Sequence, residues 1–163
     1  MNIYLIRHAD ALPVDMHAIT NDADRPLSDE GRRQSAGLAA TFKRLDLRLD
    51  LVLTSPLKRA AQTAEELSKA LNVPDLKPEV CDELAPGESS KRLFRSLRKL
   101  NANHVVLVGH EPDLGMHTAY LIGGKRARIE FAKGGAACVV CDQPPRKGTG
   151  VLLWLLTPNW LNS

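Results

Sequence analysis

Short apolar runs alternate along this chain with longer stretches in which apolar residues recur at helical spacing. Ile3-Tyr4-Leu5-Ile6 is an apolar, partly β-branched run that predicts a buried strand, ending at Arg7-His8. After an irregular loop over 9–25, Ser28 predicts a helix cap, and Leu38, Ala39, Phe42 and Leu45 continue at helical spacing to about Asp46. Gly31, inside the first turn, costs up to ~1 kcal/mol against alanine, which predicts close packing or an approach to the ligand loop. Residues 50–54 predict a second strand. Ser55-Pro56 reads as an N-cap followed by a proline at the first helical position, and Leu57, Ala60, Ala61, Ala64, Leu67 and Leu71 mark one apolar face. Arg59 lies off that stripe, in the first turn.

Further along, 78–81 predicts a short strand, followed by the turn-rich segment 82–87 and a helix carrying Leu93, Phe94, Leu97 and Leu100. Residues 105–108 predict a strand leading into Gly109-His110-Glu111-Pro112. Leu114, Thr118, Leu121 and Ile122 predict another helix, stopped at Gly123-Gly124. The last third changes period, and 128–131, 136–141 and 151–156 predict strands. This alternation predicts an α/β domain over 1–163, a three-layer sandwich with a mostly parallel central sheet.

Composition narrows the function classes. With 163 residues and 44% hydrophobic content, the chain buries about 70% of its unfolded surface as one domain. Its charge of +3, from 22 Lys and Arg against 19 Asp and Glu, is mild and dispersed. With 4% aromatic residues to stack on bases, it argues for an anionic small ligand and against nucleic acid. No apolar stretch approaches the ~20 residues of a membrane span, and no signal peptide is expected, because the first apolar run is short and ends in Arg7-His8. A cytoplasmic protein without a membrane partner is expected. Three cysteines fit reduced thiols, and Cys138-Val139-Val140-Cys141 falls in a strand, where residues three apart point to opposite faces and cannot grip one ion.

The chemistry gathers at strand ends. Ligands of open α/β sheets bind at the C-terminal edge of the strands, where Arg7-His8, Ser55-Pro56-Leu57-Lys58-Arg59-Ala60 and Val108-Gly109-His110-Glu111-Pro112 all emerge. Arg59, in the first turn of its helix, reinforces the preference of a helix N-terminus for an anion. Two arginines and two histidines suit a phosphate, with sulfate and carboxylate able to satisfy the same donors. No Gly-rich phosphate loop or metal-ligand spacing is present and no cofactor is expected, so phosphoryl transfer, if this site performs it, is expected to be metal-independent. His8 is the candidate nucleophile, and Arg7, Arg59 and His110 are the candidate phosphate binders.

Leu5-Ile6-Arg7-His8-Ala9 resembles the signature of the histidine phosphatase superfamily, with alanine replacing the more usual glycine after the histidine. The run from Thr54 through Arg59 to Gln62-Thr63-Ala64, and Val108-Gly109-His110-Glu111-Pro112, match its second and third blocks. The chain's short length and Asp24-Arg25-Pro26-Leu27-Ser28-Asp29-Glu30-Gly31 are most similar to the SixA-type phosphohistidine phosphatases. The resemblance implies a phosphoglycerate-mutase-like fold without a large lid insertion. It implies His8 as nucleophile, Arg7, Arg59 and His110 as phosphate binders, and Glu83 as the candidate leaving-group acid, with Asp10 as the alternative. The expected substrate is phosphohistidine in a protein. Small phosphomonoesters or nucleotides, and a non-catalytic phosphate-binding domain of the same fold, are the alternatives. His17 falls in the loop near the site, His104 is expected at the surface, and His117 is expected to pack.

Overall fold

The computed structural model describes residues 1–15, 19–73, 76–124, 126–142 and 144–158. Among these residues six strands form one sheet: β1 (Asn2–Arg7), β2 (Leu51–Thr54), β3 (Glu79–Val80), β4 (His104–Gly109), β5 (Ala136–Cys141) and β6 (Gly150–Leu156). Their order is β3-β2-β4-β1-β5-β6. β1 pairs parallel with β4, β4 with β2, and β2 with β3, whereas β5 runs antiparallel to both β1 and β6. A parallel connection needs a crossover long enough for a helix; among the described residues four helices cover the sheet, and the first three supply the crossovers between successive parallel strands. These are α1 (Asp29–Arg44), α2 (Lys58–Leu71), α3 (Ser90–Leu97) and α4 (Asp113–Leu121).

Strand residues alternate between two cores. Ile3, Leu5, Val105 and Leu107 meet Leu93, Phe94 and Leu97 of α3 and Leu114 and Leu121 of α4. Tyr4, Ile6, Val106 and Val108 meet Leu38 and Phe42 of α1 and Ala60, Ala64 and Leu67 of α2. The three-layer α/β sandwich with a mostly parallel sheet is therefore the fold, with no large insertion. Cys138 and Cys141 belong to opposite cores and carry free thiols, as their strand spacing requires. Among the described residues, no helix is long and apolar enough to cross a membrane.

Three local expectations are corrected. Residues 128–131 form no strand, because side chains and α4 take up that segment's backbone: Glu111 accepts from the Phe131 amide and Arg7 donates to the Phe131 carbonyl. Ser55 does not cap α2, which begins at Lys58 with Leu57 at its N-cap and no side-chain cap bond; the Ser55 hydroxyl is engaged with His110 instead. Leu45 and Leu100, read as helical positions, fall beyond the ends of α1 and α3 and are exposed.

Two glycines hold the loops of the sheet edge. Ser28 caps α1 by accepting the Gly31 amide, and a Cβ on Gly31 would lie 2.0 Å from the Asp10 carbonyl oxygen. A Cβ on Gly115 would lie equally close, 2.0 Å, to the Ile129 carbonyl oxygen, so α4 and the segment before β5 touch backbone to backbone. In an ordinary exposed helix Gly31→Ala would gain up to ~1 kcal/mol. Here it is expected to destabilise the protein by about 1–3 kcal/mol through overpacking against the loop after β1. Urea denaturation gives the sign, and a stabilised variant would contradict the contact.

Candidate active site

The parallel register of β1 and β4 places the two histidines together. Arg7 lies opposite Gly109, and the His8 amide donates to the Gly109 carbonyl at 3.0 Å. His8 and His110 leave adjacent strand ends side by side, with ring centroids 5.1 Å apart. On the other side of β4, the Ser55 amide donates to the Val108 carbonyl at the end of β2. The first turn of α2 then carries Arg59 inward, where its Nε donates to His8 Nε2 at 3.1 Å.

The His8 ring has a defined proton. Its Nδ1 lies 2.7 Å from the Ala9 carbonyl, which can only accept, so Nδ1 carries the hydrogen and Nε2 presents the lone pair that Arg59 contacts. Burial pushes the His8 pKa down to about 4, against the pull of the Ala9 carbonyl and with help from Arg59, Arg7 and Lys133. Burial likewise pushes His110 down to about 3, with His8 and Arg59 adding to it and Asp22 opposing. Both imidazoles are neutral at pH 7. His110 Nε2 pairs with the Ser55 hydroxyl at 2.8 Å.

Both arginines are braced by oxygens. Arg7 Nη1 donates to the Phe131 carbonyl at 2.6 Å. Arg59 gives Nη1 to the Asp22 carbonyl at 2.8 Å and Nη2 to an Asp22 carboxylate oxygen at 3.1 Å. Asp22 sits on a 3-10 turn, Asp22–Asp24, and its carboxyl is held below its usual range chiefly by Arg25, with Arg59 adding to it. Arg7 Nε and His110 Nδ1 are buried with no hydrogen-bond partner among the described residues. Two buried polar atoms without protein partners beside a neutral imidazole suit the binding of an anion.

The four residues named from the sequence thus converge, and residues that the sequence reading gave no role complete the site. Thr63 accepts from the Ala9 amide at 3.1 Å and donates to the Arg59 carbonyl, tying the loop after His8 to α2. Gln62 accepts from the Leu27 amide at 2.8 Å. Both stand in the second motif block, which was their signal, whereas nothing in the sequence marked Asp22. Asp10 is paired with Ser28 and Lys133, each at 2.6 Å; burial raises its pKa, but these partners outweigh it and leave the carboxyl below its usual range.

Glu83 lies on the 3-10 turn Asp82–Leu84, just after the Cys81 amide joins the Thr54 carbonyl at the sheet edge. Its carboxylate accepts from the Cys81 thiol at 3.5 Å, and no hydrogen bond among the described residues joins it to the four. His104 begins β4 and pairs with Asn2, while His117 is buried between α3 and α4, with Nδ1 2.7 Å from the Ser90 hydroxyl. His17 lies outside the described residues. Among the described residues, no three His, Cys, Asp or Glu side chains are grouped to hold a metal. A groove of about 670 Å3 lined by Arg7, Glu111, Met116, Ile129 and Phe131 reaches the site at Arg7.

Residues 3–89 match the model of the histidine phosphatase superfamily (branch 1), and the chain belongs to that superfamily, a phosphatase by class. Among its relatives, the phosphohistidine phosphatase SixA of Escherichia coli (strain K12) is 32% identical over 161 residues, covering 97% of this chain and 94% of that protein. An uncharacterized protein of Picosynechococcus sp. is 35% identical, covering 99% of both. The solved structure of the protein histidine phosphatase SixA complexed with tungstate superposes with a TM-score of 0.86 at 30% identity, covering 99% of both chains.

The depressed histidine pKa values set a pH dependence. Unfolded, both rings titrate near ~6.5, so below that pH the unfolded chain binds more protons than the native one. Their contribution to stability is complete above about pH 6.5 and is lost as pH falls toward the native values of about 4 for His8 and about 3 for His110. Histidine NMR titration of the ligand-free protein is expected to place the His8 midpoint near pH 4. A midpoint at or above the unfolded value would contradict this environment.

Proposed function

We propose that this protein is a single-domain phosphatase over 1–163 that removes phosphate from phosphohistidine in a protein, with His8 as nucleophile and no metal. The observation that carries the reading is the His8 ring, neutral, with Nδ1 committed to Ala9 and the Nε2 lone pair beside Arg59 and His110. Nε2 attacks phosphorus in line, a P–N bond forms to His8, and the bond from phosphorus to the substrate nitrogen breaks. Arg7, Arg59 and His110 stabilise the equatorial oxygens as Arg59 moves from Nε2 to the phosphoryl group. Water then attacks phosphorus, releasing inorganic phosphate and neutral His8.

The leaving group favours a phosphohistidine substrate. Imidazole, with a pKa near ~6.5, departs neutral once its ring is protonated, whereas an alkoxide needs an acid beside it. Glu83 is the candidate acid, and its bond to Cys81 rather than to the four core residues fits a substrate with little need of one. The absence of a large lid insertion and the groove reaching Arg7 suit a substrate presented on a protein surface. The near full-length similarity to the E. coli phosphohistidine phosphatase SixA supports the same reading. A small phosphomonoester is the second reading, favoured by the groove volume of about 670 Å3, which is that of an ordinary small-molecule site.

Turnover of a phosphohistidine-bearing protein, measured beside turnover of an aryl phosphate, decides between the two. The phosphoprotein is expected to be the faster substrate, and a preference for the aryl ester by orders of magnitude would overturn the proposal. Brief exposure to labelled substrate is expected to leave acid-labile phosphate on His8. His8→Ala is expected to abolish turnover while inorganic phosphate still binds; unchanged hydrolysis would remove His8 from the mechanism.

A further inference from the structure

His110 has two ring nitrogens and, being neutral, one ring proton; which nitrogen carries it decides whether the ring attracts or repels an anion. Nε2 lies 2.8 Å from Ser55 Oγ, and Ser55 is fully buried. Nδ1 is buried without a partner among the described residues, in a ring tilted against His8.

The hydrogen-bond accounting around Ser55 resolves the tautomer. Ser55 Oγ already accepts from the Leu57 amide at 3.3 Å, so its own hydrogen must find an acceptor. Thr54 Oγ1 donates to the Ser55 carbonyl, and no hydrogen bond joins it to Ser55 Oγ among the described residues. Among the described residues, His110 Nε2 is the acceptor within hydrogen-bond distance. If Nε2 were protonated instead, the buried hydroxyl hydrogen would be stranded and a bare Nδ1 lone pair would be left beside the anion.

We propose that Ser55 is a positioning residue that fixes His110 as its Nδ1–H tautomer, making the neutral ring the hydrogen-bond donor to the transferring phosphoryl group. The two histidines then carry their protons on the same nitrogen and turn opposite ends to the substrate. His8 has Nδ1–H tied to Ala9 and offers a lone pair; His110 has Nε2 tied to Ser55 and offers a hydrogen. Burial keeps both rings from taking a second proton near neutral pH, so donor and nucleophile hold their identities across the working range. Ser55 can do this because its hydroxyl oxygen accepts the Leu57 amide while its hydrogen is left to donate.

This inference rests on the reading of His110 as a phosphate donor, yet its central claim can be measured without turnover. In protein with 15N-labelled histidine at neutral pH, the His110 ring is expected to show its proton on Nδ1 and a hydrogen-bonded, unprotonated Nε2; inorganic phosphate is expected to shift Nδ1. A protonated Nε2 in the unaltered protein would overturn the proposal. Ser55→Ala is expected to shift the tautomer balance and lower kcat by about 10- to 100-fold, with KM little changed, the pattern for loss of an orienting partner felt in the transition state. Full kcat in a folded Ser55→Ala variant would also overturn it. Should that variant fail to fold, the spectrum of the unaltered protein decides alone. Absence of the phosphorylated His8 intermediate would instead sink the proposed route while leaving the tautomer result standing.

Discussion

Desolvation of two imidazoles between two guanidinium groups is the constraint on which the rest of this structure depends. A histidine in water is close to half-protonated near its ordinary pKa, and a protonated ring is no nucleophile. Here the loss of water and the nearby positive charges act in the same direction, holding His8 down to about 4 and His110 down to about 3. The arrangement keeps arginine, which stays charged at every accessible pH, as the source of positive potential, and histidine as the source of a lone pair or a neutral donor. Division of labour between the two residue types follows from that difference in basicity.

Holding such a site together demands a rigid edge, and the parallel sheet supplies it. β1 and β4 are buried on both faces and paired in continuous register, so the two histidines cannot drift apart without breaking strand pairs. Outside the sheet, each arginine is braced by an oxygen from a distant segment: Arg7 by the Phe131 carbonyl, Arg59 by Asp22. The first brace is itself held by Glu111, which follows His110, and by the backbone contact of Gly115 with Ile129. Arg59 has all three of its guanidinium nitrogens engaged, two on Asp22 and one on His8, which uses three of its five N–H donors and fixes the plane of the group.

The backbone around 128–131 shows how a site can override local preference. Its sequence has the pattern of a strand, yet the Phe131 amide and carbonyl face Glu111 and Arg7 rather than a neighbouring strand. Buried peptide groups need partners, and side chains anchored at the sheet edge provide them as well as another strand would. One consequence is a groove beside Arg7 whose wall is loop backbone, a surface that can vary without disturbing the sheet.

The six strands and four helices found among the described residues, the face that most of them bury, and the edge at which Arg7, His8, Arg59 and His110 emerge were legible in the sequence, which also suggested a strand at 128–131 that does not form. Each of those follows from local periodicity, from punctuation such as Ser28 and Gly123, and from motif blocks contiguous in the chain. Gly31 also announced its close approach, since a helix tolerates such a glycine only for a packing reason. The tertiary structure alone decided that the Ser55 hydroxyl serves His110 instead of capping α2, that Asp22 grips Arg59, and that 128–131 joins no sheet. Those outcomes turn on hydrogen bonds between groups far apart in the chain, and on how much water burial removes. Neither quantity has a local signature, because both depend on which distant groups the folded chain brings to the same donor or acceptor.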